Sequence, residues 1–135
     1  MYIYSIDFLF EFQMELKDLT KAEEQLMQVL WRLKKAFVKE LIDELPDPKP
    51  AYNTASTFIR ILETKGFIGY EAFGRTHRYY PLISREEYKL YATEKLLGNY
   101  FENSVQGMLS FFIKEKKLSL NDVDEIIKMI DQIKP

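Results

Sequence analysis

The sequence predicts a mainly α fold that carries one small β-hairpin. Apolar residues recur at spacings of three and four through most of the 135-residue chain. Between residues 67 and 83 the period changes to two, on either side of the turn signal Phe73-Gly74. Gly66 lies just before that change, where a left-handed residue would end a helix.

Each element has its own signature. Thr20 is placed to cap a first helix, with Glu23 at the capping-box position three residues on. Leu26, Val29, Leu30 and Leu33 carry its apolar stripe, widened by Met27 and Trp31. A second helix is predicted from Phe37 or Val38 to Leu45, with Val38, Leu41, Ile42 and Leu45 at helical spacing. Pro46-Asp47-Pro48-Lys49-Pro50 then breaks the chain and makes a stiff connection. The third helix is predicted over Asn53–Lys65, with Ala55, Phe58, Ile59 and Leu62 on one face. FIGYEA at 67–72 and RTHRYYPLI at 75–83 alternate as two strands, the second until Pro81. Three helices and then a hairpin, in that order, describe a winged helix-turn-helix domain.

From Ser84 the pattern is helical again. Ser84 caps, and Glu86 and Glu87 suit the positive end of a helix dipole. Leu90, Leu96, Leu97, Tyr100 and Phe101 form one stripe; Val105, Met108, Leu109, Phe112 and Ile113 form a second. Ser119, with Asp122 at the box position, caps a last helix carrying Val123, Ile126, Ile127, Ile130 and Ile133. So short a segment cannot bury that much apolar surface alone, which predicts a homodimer; folding back onto the N-terminal domain is the alternative. The domain reading is therefore 14–83 for the winged helix and 84–135 for a helical dimerisation domain. Residues 1–13, MYIYSIDFLFEFQ, are an extra segment. They read either as a start assigned upstream of Met14 or as an added strand or helix packed on the body.

Bulk properties narrow the function classes. A hydrophobic fraction of 47% and a charged fraction of 30% describe an ordinary folded domain. The absence of cysteine removes disulfides, thiolate catalysis and Cys-based metal sites, and suits a reducing cytoplasm. No apolar run reaches membrane-spanning length, and residues 1–13 lack the basic start of a secretory signal. The net charge is -2, unevenly spread. Residues 49–83 hold five Lys/Arg against two Asp/Glu, while 14–48 hold six against eight and 84–135 eight against nine. Only the central segment is basic, which argues for a local basic face rather than a nonspecific polyanion binder.

That face includes the third helix. Its outward residues are Asn53, Thr54, Ser56, Thr57 and Arg60, where a merely solvated helix more often carries Lys, Glu and Gln. Short hydroxyls approach base edges closely, Asn suits adenine, and Arg suits guanine or phosphate. The bland alternative is that Asn53 and Thr54 cap the helix and the rest are solvated. Arg75, His77 and Arg78 in the wing tip the balance toward DNA, with Lys49 and Tyr52 near the helix start placed for the backbone. An enzyme is disfavoured: the single histidine is His77, no Ser nucleophile has a His partner, and no His/carboxylate cluster has metal-ligand spacing. No catalytic residue, metal or cofactor is predicted. A winged-helix protein-interaction module without DNA binding is the competing function.

LTKAEEQLMQVLW, LETKGFIGY and GRTHRYYPLISREEY resemble the penicillinase repressor (BlaI/MecI/CopY) family of bacterial winged-helix regulators. The resemblance runs from residue 17 to about 133 and is most specific over 57–81. It implies a homodimer that blocks transcription at a two-fold symmetric double-stranded DNA operator, in one branch at β-lactamase-type antibiotic-resistance genes. It assigns the recognition helix to Asn53–Lys65 and the wing to Phe67–Pro81. It also implies a membrane sensor-protease system that relieves repression, acting on an Asn-Phe bond where this chain has Phe111-Phe112. The copper-responsive branch uses C-terminal cysteines, which this chain lacks.

Overall fold

The computed structural model describes residues 16–134, so the expectation for residues 1–13 lies outside the described residues. The chain divides into two compact units, one ending at Tyr91 and the other beginning at Ala92.

In the first unit, α1 (Lys21–Leu33) starts at the predicted capping box: Glu23 N–H donates to Thr20 Oγ1 at 3.3 Å, and Thr20 N–H to Glu23 Oε1 at 3.2 Å. The chain then forms β1 (Ala36–Phe37), a strand absent from the sequence reading because two residues show no period. It turns the expected hairpin into a three-stranded antiparallel sheet of order β1-β3-β2, with Ala36 opposite Tyr79 and Phe37 opposite Arg78. Helix α2 (Val38–Asp43) is shorter than expected and stops before Leu45. The Lys49 ammonium takes the carbonyls of Asp43 and Leu45, each at 2.8 Å, which satisfies acceptors that another helical turn would have used.

Helix α3 (Tyr52–Thr64) begins and ends one residue before the predicted limits. Gly66 closes it at φ +81, with Gly66 N–H bonded to the Glu63 carbonyl and Phe67 N–H to the Leu62 carbonyl, both at 3.0 Å. This pair of bonds is a Schellman motif, and the left-handed residue it needs is cheapest as glycine. Strands β2 (Ile68–Phe73) and β3 (Thr76–Pro81) follow, joined by Gly74-Arg75 with φ +63 at Gly74. A positive φ at the first of two turn residues matches the twist of antiparallel strands.

Leu26, Met27 and Leu30 from α1, Leu41 from α2, and Ala55, Ile59 and Leu62 from α3 meet Phe67, Ile68 and Tyr79 in one buried core. Leu33, placed in the α1 stripe by its spacing, ends up partly exposed at the helix terminus. Helix α4 (Arg85–Phe101) begins at a Ser84/Glu87 capping box. Its first turns belong to this unit: Tyr88 packs on Trp31 and Phe67, at ring distances of 6.0 and 5.6 Å. The Trp31 indole donates to the Ile83 carbonyl at 2.8 Å, which ties α1 to the segment after β3.

The second unit contains the rest of α4, α5 (Val105–Lys114) and α6 (Leu120–Ile133). Ser104 caps α5 through Gly107 N–H at 2.8 Å, and Ser119 with Asp122 forms the predicted box on α6. No described residue of α4, α5 or α6 is fully buried. Leu97, Phe101, Met108, Leu109, Phe112 and Ile126 are half-buried, while Tyr100, Val105, Ile113, Ile127 and Ile130 are exposed.

Candidate nucleic-acid interface

The inner stripe of α3, Ala55, Ile59 and Leu62, is fixed in the core and turns the polar side outward. The helix is capped at Ala51 and without any side-chain capping bond. Asn53 and Thr54 therefore lie inside the helix, exposed, and are not consumed by capping. Thr57 is also exposed, and its hydroxyl donates to the Asn53 carbonyl at 3.0 Å. No acidic residue occupies the first turn, so nothing neutralises the helix's positive end there.

The same helix has a second polar edge. Tyr52, Ser56 and Arg60 recur every fourth residue and face the sheet across a groove of about 550 Å³. Arg75, His77 and Tyr79 line it from the wing, and Phe37 and Lys39 line it as well. The His77 ring lies stacked on Tyr70, with centroids 4.0 Å apart and planes 8° apart. Among the described residues, Lys39, Arg60 and Arg75 have no ion-pair partner.

The structure thus sorts the ten residues singled out in the sequence. Asn53, Thr54 and Thr57 stand on the outer edge of α3, and Tyr52, Ser56, Arg60, Arg75 and His77 share the groove. Arg78 sits on the other face of β3, opposite Glu71 in register. The signal for that separation was the period of two between 75, 77 and 78. Lys49 spends its ammonium on backbone carbonyls at the end of α2.

One positioning pair escaped the sequence reading. Lys65, the C-cap of α3, donates to Glu23 Oε1 at 2.6 Å and to the Asp18 carbonyl at 2.8 Å. Glu23 is 3% exposed. Burial alone would raise its pKa, but the bonds from Lys65 and Thr20 outweigh that and hold it below its ordinary value. The pair ties the end of α3 to the start of α1. Its members lie 42 residues apart, and no local pattern announces such a contact. Nearby, the Tyr91 hydroxyl donates to Asp18 at 2.7 Å; burial and that bond push its pKa up to about 12.

Helix α3 following α2 across a stiff turn, with a wing beside it, defines a winged-helix protein with an exposed, hydroxyl-rich helix. The chain belongs to the penicillinase repressor family, whose profile matches residues 19–132 and whose members are transcriptional repressors rather than enzymes. It is 22% identical over 116 residues to the methicillin resistance regulatory protein MecI of Staphylococcus aureus (strain N315), covering 85% of this chain and 94% of that one. It is 22% identical over 121 residues to the penicillinase repressor of Bacillus licheniformis, covering 89% and 94% respectively. A solved structure described as the CopR repressor overlaps 50% of this chain and 100% of its own, at 29% identity and a TM-score of 0.42. No helix among the described residues is long and apolar enough to cross a membrane.

Proposed function

We propose that the protein is a cytoplasmic, dimeric, sequence-specific repressor that binds a palindromic operator of resistance genes. The carrying observation is the outer edge of α3: Asn53, Thr54 and Thr57 are exposed, helical and free of capping duty. In this reading those three side chains meet base edges in the major groove. Arg60, Arg75 and His77 hold the flanking phosphates, Tyr52 braces the helix start, and Arg78 adds to the field of the wing. Ser56 supports from within the groove, and Lys49 contributes its carbonyl-capping role more than a phosphate contact. The winged-helix domain spans 14–83 and the dimerisation domain 84–135.

The open apolar stripes of α4–α6, with Ile130 48% and Ile127 50% exposed, support pairing with a second copy. Two linked half-sites then reinforce each other. Family membership supports relief of repression by a membrane sensor-protease system. The chain has Phe111-Phe112 at the place matching the Asn-Phe bond, so cleavage in this reading uses a different bond sequence.

The test is a footprint and titration on the gene's own upstream DNA. Asn53→Ala and Thr57→Ala should each cost roughly 1–3 kcal/mol of discrimination between operator and random DNA. Arg75→Ala should weaken binding to every sequence and flatten its salt dependence. Equal losses on operator and random DNA for the two α3 variants would contradict base reading, and binding only to protein partners would favour an interaction module.

A further inference from the structure

The groove beside α3 has a make-up that contact with duplex DNA leaves unexplained. Four ring-bearing side chains line it, Phe37, Tyr52, His77 and Tyr79, together with the cations Lys39, Arg60 and Arg75. Phosphates call for the cations, but the bases of a duplex are stacked on one another and offer no free ring face to such walls. Tyr52 is nevertheless 55% exposed, and His77 is held flat against Tyr70 at 4.0 Å. Glu40 also lines the groove, and its carboxylate accepts the Phe37 N–H at 2.9 Å. About 550 Å³ lined by four rings, three cations and two hydroxyls is the size of a small-molecule site and offers both stacking faces and converging polar groups.

We propose that this groove binds a small organic anion, an aryl or heteroaryl carboxylate or phosphate, and that its occupancy competes with DNA. The ring of the ligand lies between Tyr52 and the His77–Tyr79 wall, and its anionic group meets Arg60 and Arg75, with Ser56 available as a hydroxyl donor. A planar anion satisfies both halves of the lining at once: ring faces by stacking, cations by charge-assisted hydrogen bonds. Because Arg60 and Arg75 are also placed for phosphate, a bound anion takes the charges the DNA backbone would use. The site adds a chemical input to the repressor reading, and its occupancy is read without DNA.

Calorimetric titration of the full chain with 1-naphthoate, beside neutral 1-naphthalenemethanol, tests the site. One naphthoate per chain is expected, with a Kd of about 1 mM or tighter. The alcohol should bind at least about tenfold more weakly for want of its charge. Arg60→Ala and Tyr52→Ala, both at exposed positions, should each weaken naphthoate about tenfold or more with an unchanged unfolding curve. Naphthoate should also raise the operator Kd in proportion to its occupancy. No saturable binding up to about 10 mM, equal binding of acid and alcohol, or affinity unchanged in both variants overturns the site. Undiminished operator affinity at saturating naphthoate overturns the competition.

Discussion

Between Leu26 and Tyr79 fourteen hydrophobic side chains are buried, whereas α5 and α6 bury none. Local rules do not separate the two regions. Both have side-chain-capped helices, both have amphipathic stripes, and α6 carries a capping box as complete as that of α1. The difference is long-range closure. In the first unit Phe67, Ile68 and Tyr79 arrive from the wing to cover the faces of α1, α2 and α3. In the second, Phe101 meets Phe111 at 5.7 Å, but Met129, Ile130 and Ile133 remain 61%, 48% and 80% exposed. One unit is stable by its own core; the other presents its apolar stripes outward, which is why a second copy of the chain is proposed to cover them.

The largest expected effect tests the first half of that contrast. Phe67→Ala removes a fully buried ring and should cost about 3–5 kcal/mol in denaturant unfolding. The loss should not depend on protein concentration. Ile130→Asp tests the second half. Placing a carboxylate on the open stripe should weaken self-association by roughly 2–4 kcal/mol, read as a fall to monomer mass in sedimentation. A variant that stays dimeric like the parent, or a parent that is itself monomeric, would break the comparison.

Smaller effects sharpen it. Glu23→Gln removes the buried partner of Lys65 and should cost about 1–3 kcal/mol of stability, with operator affinity falling because α3 loses its anchor. The parent should show the same loss with acid. Glu23 has a lowered pKa in the folded chain, so its contribution is complete above the ordinary value of 4.5 and disappears as pH falls through the lower folded value. The Gln variant should lack that part of the acid transition. Smallest is Ser104→Ala, which deletes the cap of α5 and should cost about 1 kcal/mol, seen as reduced helicity of an assembly already weakened by dilution.

Much of the molecule was legible in advance because the relevant interactions are short in sequence. The boxes at Thr20/Glu23 and Ser119/Asp122 span three residues, and Gly66 acts on its own helix end. The polar outer face of α3 followed from one buried stripe. The third strand escaped because Ala36–Phe37 is too short to show alternation and forms only by pairing with β3. The division of the polar face of α3 into an outer edge and a groove wall depended on where the wing lands.

The order of the helices and the two wing strands, the capped starts of α1 and α6, the Gly66 end of α3, the turn at Gly74 and the amphipathic faces were determined by the sequence alone, since each rests on contacts within a few residues and on the fixed periods of helix and strand. Only the tertiary structure decided that Glu23 meets Lys65, that Arg78 parts from Arg75 and His77, and that rings and cations from three distant segments enclose one groove. Such contacts join residues remote along the chain, and they exist only once the core has brought those segments together.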